Sequence, residues 1–167
     1  MSKCWKRTMY IFATFTAIAA LIAAWSTYEA RQMQPLVQGA AAQAQAQALN
    51  MAEYRASVID YLNSVNPSFE GSIPASQLPG IAHYAATGLW NNYVEGNTIV
   101  VYAIAPTAAG LPSFMTLLAQ GSVLAGVAQS GYLIPPGAPG VAVPLPTGIA
   151  NAIANGTPVW MAEISRG

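Results

Sequence analysis

The apolar positions of this chain fall into distinct patterns, and each pattern predicts a different element. The first is an unbroken run. Thr8 to Tyr28 contains no charge, proline or glycine. As a helix rising about 1.5 Å per residue it spans about 31 Å, close to the thickness of a bilayer's hydrocarbon core. A lone strand leaves its backbone unsatisfied in lipid, so the run predicts a transmembrane helix. Tyr10, Trp25 and Tyr28 stand near its ends, where interfacial aromatic residues collect. The second pattern is a strict alternation, Ala41-Ala42-Gln43-Ala44-Gln45-Ala46-Gln47-Ala48. A period of two suggests a strand, but Ala and Gln are good helix formers and poor strand formers, so this segment reads as helix. It belongs to a low-complexity stalk, Arg31 to Leu49, in which Pro35 starts or bends a helical segment.

The third pattern has helical period. Met51, Tyr54, Val58, Tyr61, Leu62 and Val65 fall within one arc of about 100°, with Glu53, Ser57, Asp60, Asn63 and Ser64 opposite. Asn66-Pro67 ends this helix, because the residue before proline avoids helical angles. A loop follows to Gly80. Leu89 to Val94 and Thr98 to Ile104 are rich in aromatic and β-branched residues and flank Glu95-Gly96-Asn97, which predicts a β-hairpin. Pro112 to Ala128 reads as a second helix burying Phe114, Met115, Leu117, Leu118, Val123, Leu124 and Val127, with Gly131 as its stop. Tyr132-Leu133-Ile134 is a short strand. Residues 135–146 hold five of the twelve prolines and form extended loop. Thr147 is expected to cap a short helix through Asn155, and Pro158 to Ile164 to form a final strand. The fold class is therefore α+β: an N-terminal transmembrane helix and helical stalk, then a small domain with an antiparallel sheet packed on helices. The segments are 1–7 (tip), 8–28 (span), 29–49 (Ala/Gln-rich stalk) and 50–167 (extracytoplasmic domain).

Charge orients this arrangement. Hydrophobic residues make up 54% of the chain and charged residues only 7%, against roughly 25% charge in ordinary soluble domains. Lys3, Lys6 and Arg7 precede the apolar run and Glu29 follows it, so the positive-inside rule leaves the N-terminus in the cytoplasm and the domain in the periplasm. A cleaved signal peptide is the competing reading, although Trp25 and Tyr28 occupy the region where small residues are expected. Outside the tip no basic patch exists, which argues against nucleic-acid binding. Gly96 to Ala162 contains no Asp, Glu, Lys, Arg or His. That stretch is a poor soluble surface. It reads as tight packing behind an uncharged polar exterior, as a surface that docks on other subunits, or as a second span at 108–128.

Candidate chemistry is sparse. Cys4, Asp60 and His83 are each the single residue of their type, and Cys4 is expected to lie across the membrane from the other two. There is no serine-hydrolase elbow, no metal-ligand spacing and no phosphate-binding glycine motif. Glu70, Glu95 and Glu163 could pair as general acids, but each also suits a turn or strand end. Asn155-Gly156-Thr157 carries the glycosylation pattern, weakened by Pro158. No enzyme and no cofactor is expected.

The layout resembles a known family. The segment Tyr54 to Asn66, the Trp90 to Tyr102 hairpin, Gly121 to Gly131 leading into Tyr132-Leu133-Ile134-Pro135, and Leu145-Pro146 through Pro158-Val159 are similar to the PilM proteins of thin-pilus, type IVb conjugative systems. These are small inner-membrane proteins, distinct from the actin-like cytoplasmic protein of the same name. The resemblance implies a part in pilin transport or the pilus basal body and supplies no catalytic residues. On this reading the chain is a single-pass inner-membrane scaffold in type IV pilus biogenesis. The expected partners are the membrane, other pilus or secretion proteins or pilins, and further copies of itself. The alternatives are a minor pilin-like subunit and a secreted domain. A pilin is disfavoured because no glycine precedes the apolar run and the first acid is Glu29. Tyr93, Tyr102 and Trp160 are the candidate interface residues, since aromatic side chains often anchor interfaces; the competing role is cross-strand core packing.

Overall fold

The computed structural model describes residues 38–80, 88–138 and 140–165. The chain divides into two compact units, Met1–Ala40 and Ala41–Gly167, and the sheet with its packing layers belongs to the second. Thr8–Tyr28, Cys4 and His83 lie outside the described residues. Among the described residues no helix is long and apolar enough to cross a membrane.

A helix, α1, covers residues 38–64. The Ala/Gln alternation and the amphipathic segment are thus one helix with no break near residue 50. Ala44 and Ala48 are buried, as are Met51, Tyr54, Val58, Tyr61 and Leu62, and all but Ala44 belong to the core beneath the sheet. Each fully buried Met, Val or Leu side chain contributes about 1.5–3 kcal/mol. Val65 was expected on that face but is 62% exposed, because the helix ends at residue 64 and the chain turns towards Pro67.

Six antiparallel strands follow: β1 Trp90–Glu95, β2 Thr98–Ala103, β3 Ala125–Gln129, β4 Tyr132–Ile134, β5 Val143–Pro144 and β6 Pro158–Glu163. Their order in the sheet is β1-β2-β6-β3-β4-β5. The β1–β2 hairpin closes through Gly96 and Asn97, with Glu95 opposite Thr98. Gly96 takes a φ of 57°, the left-handed turn conformation that glycine adopts without strain. The C-terminal strand β6 inserts between β2 and β3, so strands far apart in sequence pair at the centre of the sheet.

The predicted helix over 112–128 is corrected by the structure. Helix α2 stops at Leu118 (Leu111–Leu118). Gln120 and Gly121 both have positive φ, which terminates the helix, and residues 125–129 form β3 instead. The sheet explains the switch. A Cβ at Gly126 would overlap the Ile134 carbonyl oxygen and sit 2.9 Å from Pro135 Cα, so this glycine lets two stretches of backbone close together. As a result Leu117 is 72% exposed rather than buried.

Alternation along the strands gives two cores. Trp90, Val94, Ile99, Val101, Ala125, Trp160 and Ala162 face α1 and α2. Val100, Ala128, Leu133, Val159 and Met161 face the other way, under Leu145, Ile149 and Ile153. That second cover is a run of turns over 147–153, not the expected capped helix. Thr147 does not cap it; the Thr147 hydroxyl donates to the Glu95 carboxylate.

Candidate interaction surface

Asn92 ties the helix side together. It is a fully buried polar residue on the middle of β1. Its side-chain oxygen accepts the Ile73 N–H at 2.8 Å, and its amide donates to the Ile73 carbonyl at 2.8 Å and to the Tyr54 hydroxyl at 2.9 Å. The amide thus mimics a strand and holds the 67–80 loop against the edge of the sheet. Gly71 and Val94 exchange two backbone hydrogen bonds beside it. Burial pushes the Tyr54 phenol above its ordinary range, and the bond from Asn92 acts in the opposite direction.

The candidate interface residues occupy unlike environments. Trp160 is 2% exposed and packs in the helix-side core. Tyr93 and Tyr102 are half-buried on the opposite face, against the turn-side core. The three therefore do not share one surface. Tyr93 lies beneath the 147–153 turns: a Cβ at Gly148 would overlap its hydroxyl. The Tyr102 hydroxyl accepts a hydrogen bond from the Asn91 side chain at 3.0 Å, directly across the strand pair. Burial raises its pKa. Tyr102 also borders an open cavity of about 570 Å³ walled by Ile104, Pro106, Thr107 and residues 152–158.

The glutamates are strand and turn clips. Glu95 accepts the Gly148 N–H at 2.9 Å, the Thr147 N–H at 3.1 Å and the Thr147 hydroxyl at 3.0 Å. These bonds, led by that from Gly148, hold its carboxyl below the usual range. Glu70 accepts the Gly96 N–H at 3.1 Å. Asn155 serves a turn as well: its side-chain oxygen accepts the Ser130 N–H at 2.7 Å. Among the described residues no group of three or more His, Cys, Asp or Glu is placed to hold a metal ion.

Sequence reading singled out none of the features of Arg55. It is the only Lys or Arg between Arg31 and Arg166, which was the available signal. Its guanidinium carbon lies 4.4 Å from the centroid of the Trp160 ring, a cation–π stack. One terminal nitrogen donates to the Met161 carbonyl at 3.3 Å, and Nε is buried without a partner.

Large exposed apolar side chains punctuate the uncharged stretch: Ile104, Leu117, Leu118, Val123, Tyr132 and Val141.

No curated protein matches the chain at the level of sequence. A crystal structure of a PilM protein from Escherichia coli B7A is similar, with 19% identity, a TM-score of 0.49, and coverage of 73% of this chain and 93% of that one. The PilM family model matches residues 17–161, and on that match over most of its length the chain belongs to the PilM family.

Proposed function

We infer that this PilM-family chain serves pilus biogenesis as a non-catalytic assembly component of the inner membrane. Thr8–Tyr28 anchors it, and the unit Ala41–Gly167 works in the periplasm through protein contacts. Family membership supports the pilus role. The observation that carries the contact reading is the pairing of a charge-free stretch, residues 96–162, with exposed Leu117, Leu118, Val123 and Tyr132. The non-catalytic reading rests on the sequence, which offers one histidine, one cysteine and one aspartate.

The test has two parts. Cells lacking the chain are complemented with it and their pili counted; the full chain is expected to restore assembly. The intact mass of the protein recovered from purified membranes is then measured. A full-length mass supports the anchor and excludes pilin-type trimming. A mass lacking roughly the first 24 residues overturns the anchor and favours a secreted domain.

A further inference from the structure

Strand β6 outruns its neighbour. β3 pairs with it only through Trp160, Val159 and Pro158, and the Leu124 carbonyl accepts the Met161 N–H just past the ladder. From there the chain leading back to α2 diverges, and β6 beyond Met161 has no strand partner on that side. A cavity of about 370 Å³ lies in the gap, lined by Arg55, Leu118, Gln120, Ser122 and Trp160.

Arg55 is the sole Lys or Arg among the described residues, which carry five acids: Glu53, Asp60, Glu70, Glu95 and Glu163. It pairs with none of them. Glu163 also borders the cavity, but strand alternation sends its side chain to the opposite sheet face, since Trp160 and Ala162 face the helices. Stacking on Trp160 engages only the π-face of the guanidinium, leaving its in-plane donors for other partners. Nη1 makes one long bond, to Met161; Nε and Nη2 make none. Burial lowers the Arg55 pKa, yet arginine stays charged at any physiological pH. A half-buried cation with an unpaired terminal nitrogen is a favourable seat for an anion. A carboxylate reaching Nη2 makes a charge-assisted pair there, whereas Nε is buried beyond its reach. Of the exposed residues that line the cavity, Leu118 is apolar and Gln120 and Glu163 are polar.

From this we propose that Arg55 and the cavity beside it receive a carboxylate side chain of a different protein. The proposal rests on the contact reading above and names the chemistry of the contact. A second copy of this chain fits less well. Copies meeting through this patch bring no acid from residues 96–162, and Glu163 faces away.

A photoreactive amino acid placed at Leu118 of the full chain, in cells that assemble pili, tests it. The expected adduct joins a different protein within a few residues of an Asp or Glu. Arg55→Gln reduces adduct yield by about tenfold or more, the loss of one charge-assisted pair. Gln120→Glu, an isosteric change at an exposed position, is expected to do the same by presenting a competing carboxylate while leaving the melting temperature unchanged. Replacing the partner's acid by Arg while changing Arg55→Glu is expected to restore the adduct. Adducts only to a second copy, adducts far from any acid, or yields indifferent to both variants overturn the proposal. Pilus counts on the same cells report separately on the assembly role, so failure of the one is distinguishable from failure of the other.

Discussion

The two faces of the sheet are covered in different ways. The helix side is closed by α1 and α2 with large apolar side chains in register, and its one buried polar residue, Asn92, has every side-chain donor and acceptor engaged. The turn side is closed by irregular chain from Leu145 to Ile153, held down by Leu145, Ile149, Ile153 and the Glu95 clip at its rim. A helix satisfies its own backbone, so its cover needs only side-chain packing. A run of turns leaves backbone donors over, and here an exposed carboxylate collects two of them. The helix side therefore depends on burial, whereas part of the turn side depends on a titratable group.

Variants can break this contrast at each level. The largest effect is expected from Leu62→Asp, which buries an unpaired charge in the helix-side core and should cost about 4 kcal/mol or more. Unchanged thermal stability would show that this face is not core. Gly126→Ala comes next. The new Cβ meets Ile134 and Pro135 backbone, not a yielding side chain, so about 3 kcal/mol is expected in denaturant unfolding, with the loss concentrated in β3 and β4. Asn92→Ala strands the Ile73 amide and carbonyl, for about 2 kcal/mol. Hydrogen exchange should rise first across residues 71–73 and leave the turns over 147–153 protected; the reverse order would contradict the division into two faces.

The smallest effect sharpens the comparison through pH. The folded-state pKa of Glu95 lies below its ordinary value, so the folded state binds fewer protons there than the unfolded one. The contribution is fully present above the ordinary carboxylate range and is lost as pH falls through the lowered folded value. Amide exchange at Thr147 and Gly148 should accelerate at the acid end of that window, with no matching change at Ile73. Glu95→Gln should abolish that dependence.

Much of the local structure was legible in the sequence. Met51, Tyr54, Val58, Tyr61 and Leu62 announced a buried helical stripe, and helix propensity correctly overruled the two-residue alternation of Ala41–Ala48. The β1–β2 hairpin, β4 and β6 were visible because aromatic and β-branched runs ended at turn residues. Residues 119–129 misled. Val123, Leu124 and Val127 continue the apolar spacing of α2, and a short apolar run does not distinguish helix from strand. The positive φ of Gln120 and the clearance at Gly126 decided the matter.

The sequence by itself determined the helical face of α1, the β1–β2 hairpin, β4 and β6, though not residues 119–129 or 147–155, because those properties are set by neighbours a few residues apart. It also determined that the charges are few and unevenly spread. Only the tertiary structure decided that β6 lies between β2 and β3, that Trp160 is buried while Leu117 is not, and that Arg55 sits on Trp160 with no acid paired to it among the described residues. Those outcomes join residues dozens to more than a hundred positions apart. They depend on which strands pair and where a ladder ends, and no local periodicity encodes either.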